Sequence, residues 1–175
     1  RKINSQNHLT NAWARFERAE LDLDGFDKAF ADEALAMGHY VPGKDIIGLL
    51  SGDFRPEMIE ALRRIKTKYK TGCITNNVPS NQMGSTEGRS LYAKDVMALF
   101  DHVIESAKTG IRKPDPRIYE MMCEALGVQP GACIFLDDLG VNLKPARAMG
   151  METIKVETAH QAIAALEKLT GMNLR

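Results

Sequence analysis

From Arg55 to the C-terminus, short apolar runs alternate with longer stretches of helical period. No other feature constrains the fold as much. Apolar runs of this length, each followed by a helix, form the strands of a parallel sheet covered on both faces. Strands are expected at Gly72–Thr75 ("GCIT"), at His102–Glu105, in "CIFLDD" and in "ETIKV". The first helix between them opens on Pro56 and turns Met58, Leu62, Ile65 and Tyr69 to one face. "DVMALF" is helical, and "DPRIYEMMCEALG" is a helix with Asp115 as N-cap, Pro116 in its first turn and Gly127 past its end. "NLKPARAMG" is a short helix. The last helix starts at Thr158, with Gln161 in a capping box, and stops at Gly171.

The first fifty-odd residues read as helices without strands. Leu9, Trp13 and Phe16 share one helical face, and Phe26, Phe30, Ala34 and Met37 share another that ends at Gly38; "VPGKD" reads as a turn. Between these two faces stands "LDLDGF", with two carboxylates two residues apart. A catalytic carboxylate is held most rigidly at the end of a strand or on a helix of the scaffold, whereas Asp22 follows the charged, helical "RFERAEL" and leads into a second helical stretch. Asp24 therefore reads as the N-cap of the second helix, with Asp27 in its first turn. Two regions follow: a helical part, 1–54, and an α/β core, 55–175.

In parallel sheets, ligands gather beyond the carboxyl ends of the strands. Three such places are polar. Thr75, Asn76 and Asn77 offer a hydroxyl and two amides that could donate to an oxyanion, and they equally suit a turn before Val78-Pro79. Lys113, stiffened by Pro114 and Pro116, could neutralise an anion and keep a nearby carboxylate ionised; most lysines are simply solvated. Asp137 and Asp138 end an apolar strand together, which is costly unless a cation or donors compensate them. Mg²⁺ held by one or two carboxylates, water and substrate oxygens is the favoured solution, and capping of the next helix is the alternative.

Charge is balanced, with 23 Lys+Arg against 23 Asp+Glu, so no global field favours nucleic acid or an anionic membrane. No apolar run approaches the length of a membrane span. The 3 cysteines lack C-x-x-C spacing and read as reduced thiols of a cytoplasmic protein rather than as disulfides or a zinc site.

Taken in order, the Thr-Asn-Asn strand end, "GIRKPDPRIYE" and "IFLDDLGVNLKPARAMGMETIKV" resemble the haloacid dehalogenase-like hydrolase superfamily. Within it, the sequence looks most like the phosphatase-like domain at the front of soluble epoxide hydrolases and its relative fused to acyl-CoA dehydrogenase-like proteins. The resemblance runs from about Trp13 to the C-terminus and is most specific over Gly110–Val156. It implies a Rossmann-like parallel sheet with a small helical cap. It also implies that Thr75 binds the transferred phosphoryl group, with Asn76 and Asn77 beside it, and that Lys113 steadies the nucleophile and the phosphoryl oxygens. Asp138 would ligate Mg²⁺, and Asp137 would support the metal directly or through water. Asn142 stands where many members place a second acid.

Members use an aspartate at the end of the first, central strand as nucleophile, often with a second aspartate two residues on. "DLDGF" imitates that pattern but falls where the cap is expected. The nucleophile strand is therefore expected upstream of Arg1, lying between the Thr75 and Asp137 strands, which should not pair with each other. The resemblance thus implies a Mg²⁺-dependent phosphomonoesterase acting on a small phosphorylated metabolite through an aspartyl-phosphate, with this chain inactive alone. No nucleic-acid or membrane partner is expected. The rivals are a non-catalytic binding or assembly domain and a 2-haloacid dehalogenase, whose metal-free chemistry would leave Asp137 and Asp138 without a purpose. The connection Pro79–Ser90 reads as a polar loop, with an active-site flap as the alternative.

Overall fold

In the computed structural model, the described residues are Asn7, 9–49, 54–78 and 87–175. The elements run α1 (Ala12–Glu17), α2 (Leu23–Ala36), α3 (Gly43–Gly48), α4 (Pro56–Ile65), β1 (Gly72–Thr75), α5 (Glu87–Met97) and β2 (His102–Glu105). They continue with α6 (Ser106–Thr109), α7 (Pro116–Leu126), β3 (Ile134–Asp137), α8 (Gly140–Ala148), β4 (Glu152–Lys155) and α9 (Ala159–Thr170). The class is the expected α/β one. Two compact units are distinguished. One comprises the described residues of Arg1–Gly52, Thr75–Ser85 and Glu105–Arg112; the other comprises those of Asp53–Ile74, Thr86–Ile104 and Lys113–Arg175.

The first unit is organised around Phe26, which is fully buried. Phe16 stacks on it at 4.4 Å between ring centroids, Trp13 meets it edge-on at 5.4 Å, and Phe30 lies at 5.5 Å. Gly43 lets α3 lie against α2, since a Cβ there would fall 2.8 Å from the Phe26 ring. Asn11 caps α1, accepting from the Ala14 amide at 2.8 Å, so Leu9 stays outside the helix and exposed. The cap of α2 is Asp22, which accepts from the Gly25 amide at 2.7 Å. Asp24, expected in that role, lies inside the first turn and pairs with Lys44 at 2.7 Å. Both aspartates have capping chemistry; the extended backbone at Asp22 decides between them. "VPGKD" is not merely a turn, because α3 begins inside it with Pro42 as N-cap and Asp45 in the first turn.

In the second unit, β3 and β4 pair in parallel, with Ile134 opposite Glu152 and Asp137 opposite Lys155. Ala162, Ile163, Leu166 and Leu174 bury against Ile154 and Ala61, and Ile134 and Leu136 pack on this cluster. A fully buried leucine or isoleucine such as Leu174 or Ile163 contributes roughly 1.5–3 kcal/mol. Thr158 caps α9 by accepting from the Gln161 amide at 3.1 Å. The Gln161 side chain returns to the Glu157 amide, one residue before the cap. Met58 and Ile65 of α4 face the core as expected, but Tyr69 lies beyond the helix end and is exposed. α5 starts at Glu87, within the stretch read as loop, and ends before Phe100; positions 79–86 of that stretch lie outside the described residues. No helix among the described residues is long and apolar enough to cross a membrane.

The strands form two two-stranded sheets, β1 with β2 and β3 with β4. As expected from the sequence, β1 and β3 share no ladder. The amides of Glu152 and Val156 donate to the carbonyls of Cys133, just before β3, and of Asp137 at its end, so the odd-numbered positions face β4. Alternation along a strand then turns the N–H and C=O of Ile134 and Leu136 to the opposite edge. That edge has no hydrogen-bonded neighbour among the described residues, although both side chains are half-buried in the core. Hydrogen exchange should find the Ile134 and Leu136 amides of this chain far less protected than those of Ile154 and Val156. Equal protection at all four positions would mean that the edge is already paired.

Candidate functional site

The polar end of β3 is built around Asp137, whose side chain is only 4% exposed. Its Oδ2 accepts from the Lys113 ammonium at 2.7 Å. Its Oδ1 accepts from the Leu139 amide at 2.8 Å and from the Asn142 side-chain amide at 2.9 Å. Both oxygens are thus held by protein donors, which is how a carboxylate stays charged in a buried position. The Lys113 ammonium also lies 5.8 Å from the centroid of the Phe135 ring. Lys113 and Asp137 are brought together 24 residues apart in sequence.

Asn142 belongs to the same cluster, sitting buried in the first turn of α8. Its backbone carbonyl accepts from the Tyr119 hydroxyl at 2.7 Å, and the Tyr119 ring meets Phe135 edge-on at 5.1 Å. Burial, and then the charge of Asp137, push the Tyr119 phenol far above its usual range, so it acts as a donor. The sequence offered one clue to Tyr119: it lies on the buried face of α7 beside Ile118 and Met122, where a phenol needs a partner.

Asp138 differs from its neighbour. It is exposed, one residue beyond β3, and makes no hydrogen bond or ion pair among the described residues. Two adjacent aspartates therefore have opposite environments: Asp137 is locked inside and Asp138 is presented outside. No group of three or more His, Cys, Asp or Glu residues is placed to hold a metal among the described residues. The donor set fits a hard cation that takes one carboxylate and completes its shell with water and ligand oxygens, as Mg²⁺ does. It does not fit zinc, which takes a closed set of protein ligands in structural sites and three of them in catalytic ones. Any such cation would bind through Asp138, since direct ligation by Asp137 would compete with Lys113, Leu139 and Asn142.

Thr75, Asn76 and Asn77 belong to the other unit. The Thr75 hydroxyl, half-buried at the end of β1, makes no hydrogen bond among the described residues. Asn77 is consumed internally. Its backbone amide donates to the Ser106 hydroxyl at 3.0 Å, and its side-chain amide donates to Glu105 at 2.6 Å. Its side-chain oxygen accepts from the Ala107 amide at 3.3 Å. In the same unit Arg112, next to Lys113 in the chain, pairs with Glu17 at 2.6 Å. Glu17 also accepts from the Trp13 indole at 2.7 Å. This largely buried pair escaped sequence reasoning, because nothing local links residues so far apart.

Removing one partner of a buried pair leaves an uncompensated charge. Lys113→Met should therefore destabilise the second unit by about 3 kcal/mol in urea unfolding. Lys44→Met, which breaks the exposed pair with Asp24, should leave the midpoint unchanged. A similar small effect for both would remove the structural role assigned to Lys113.

A family model described as haloacid dehalogenase-like hydrolase matches residues 5–150. Mouse acyl-CoA dehydrogenase family member 10 is 36% identical over 168 residues, covering 93% of this chain and 15% of that protein. Rat bifunctional epoxide hydrolase 2 is 41% identical over 117 residues, 65% of this chain and 21% of that protein. Phosphatase MT3486 of Mycobacterium tuberculosis is 36% identical over 109 residues, 62% of this chain and 47% of that protein. The chain thus spans about a fifth or less of the first two relatives and about half of the third.

Among solved structures, a predicted HAD-like family hydrolase from Porphyromonas gingivalis aligns with a TM-score of 0.69 at 17% identity, covering 98% of this chain and 83% of that one. A HAD family enzyme of Bacteroides thetaiotaomicron, in complex with magnesium and inorganic phosphate, aligns at 0.60 and 19% identity, covering 87% and 78%. With the family model matching residues 5–150 and a relative 36% identical across 93% of this chain, the chain belongs to the haloacid dehalogenase-like hydrolases.

Proposed function

We propose that this chain is the cap and most of the core of a Mg²⁺-dependent phosphatase that cleaves small phosphomonoesters. The observation that carries this reading is the contrast at the end of β3, where Asp137 is neutralised by Lys113 while Asp138 is presented to solvent. A phosphoryl site needs a fixed hydrogen-bond donor and a cation ligand side by side, and the held Lys113 ammonium and the exposed Asp138 carboxylate supply them. Phosphatase MT3486 is a relative at 36% identity, and the same fold holds magnesium and phosphate in the Bacteroides enzyme.

Asp138 would hold the cation, which when bound neutralises the charge on the phosphoryl oxygens. Lys113, oriented by Asp137, would donate to those oxygens and keep the attacking carboxylate ionised. For Thr75 and Asn76, in the other unit, the family resemblance alone supports a role in phosphoryl binding. Asn77 is left out of the binding set, because its side chain already bridges to Glu105 and Ala107. The nucleophile would be an aspartate at the end of a strand laid along the edge at Ile134 and Leu136, which has no hydrogen-bonded neighbour among the described residues. Its carboxylate would attack phosphorus and expel the alcohol, giving an aspartyl-phosphate that water then hydrolyses to inorganic phosphate.

On this reading the isolated chain is inactive. The full-length protein should hydrolyse a generic aryl phosphate only with Mg²⁺, and Asp138→Ala should reduce kcat/KM by roughly 10²-fold or more. Undiminished activity in that variant would remove the metal role. A folded full-length protein that is inert with Mg²⁺ would instead indicate a binding or assembly domain.

A further inference from the structure

We propose that Tyr119 is a positioning residue for the loop that carries Asp138, acting through Asn142; the link to metal binding rests on the phosphatase reading above. The Tyr119 hydroxyl donates to the Asn142 carbonyl at 2.7 Å, and the Asn142 side chain donates to Asp137 at 2.9 Å. Asp137 in turn accepts from the Leu139 amide at 2.8 Å. Asp138 is the residue between those two anchors, so its backbone is fixed on both sides by bonds that lead back to α7. The aromatic ring adds a second restraint. It meets Phe135 at 5.1 Å, and Phe135 is the residue over which the Lys113 ammonium lies. One side chain thus touches the supports of both charged groups without facing a ligand itself.

A buried tyrosine whose hydroxyl is merely satisfied would show the same first bond. The two roles differ in what the hydroxyl controls. Asp138 is exposed and makes no hydrogen bond or ion pair among the described residues, so the loop backbone orients it. Removing the hydroxyl while keeping the ring should loosen that loop locally. A methylene lost elsewhere in the same core should not.

The test compares wild type, Tyr119→Phe and Ile163→Val in the full-length protein. Ile163 is buried in the α9 cluster and belongs to no part of the site. Exchange of the Leu139 amide, measured without metal, should speed up about fivefold in Tyr119→Phe and stay at the wild-type rate in Ile163→Val. In a Mg²⁺ titration followed by calorimetry, Tyr119→Phe should bind about fivefold to tenfold more weakly, and Ile163→Val should bind normally. Equal Leu139 exchange in the two variants overturns the positioning role, whatever the metal does. Wild type that binds no Mg²⁺ overturns the metal reading instead, and the exchange rates still decide the role of Tyr119.

Discussion

The contact between Lys113 and Asp137 orders everything around the end of β3. A buried carboxylate and a nearly buried ammonium are unfavourable separately, and together they hold only if the remaining lone pairs find donors. Asn142 and the Leu139 amide provide those donors, so the start of α8 is tied to the strand end. On the proposed reading the arrangement has a chemical consequence: with Asp137 occupied, the neighbouring Asp138 would be the carboxylate left for a cation. The same ion pair that stabilises the loop thereby divides the work between two identical side chains.

The second constraint is the split sheet. A half-buried strand with one unpaired edge leaves a row of backbone donors and acceptors open to pairing with another strand. Among the described residues Ile134 and Leu136 are in that position, while their side chains pack against the core cluster of the second unit. A strand laid along this edge would satisfy those groups and would deliver a residue at its carboxyl end beside Asp137. On the proposed reading, stability and catalysis would then depend on that one strand, which is why the fold and the proposed chemistry stand together.

Much of this was legible in the sequence for local reasons. Asp115, Pro116 and Gly127 bound α7 because each acts on its own backbone, and "CIFLDD" displays the switch from apolar strand to acidic end within six letters. Where two residues had equal local chemistry, locality failed: Asp22 and Asp24 could both cap α2, and backbone geometry selected Asp22. Pro42-Gly43 suits a turn and a helix start equally, so α3 was missed. The contacts of Asn77 with Glu105, of Glu17 with Arg112 and of Tyr119 with Asn142 join residues 28, 95 and 23 positions apart. No propensity or spacing encodes such pairs; they exist only once the chain has folded.

The central claim is that Asp137 anchors while Asp138 ligates, beside a strand that fills the open edge. An experimental structure of the full-length protein with Mg²⁺ and a phosphate mimic tests it most directly. The account expects the metal on Asp138, Asp137 still bonded to Lys113, and an additional strand hydrogen-bonded to Ile134 and Leu136 that ends in an aspartate facing the metal. A metal ligated by Asp137 with Lys113 displaced, or β1 laddered directly onto β3, would contradict it.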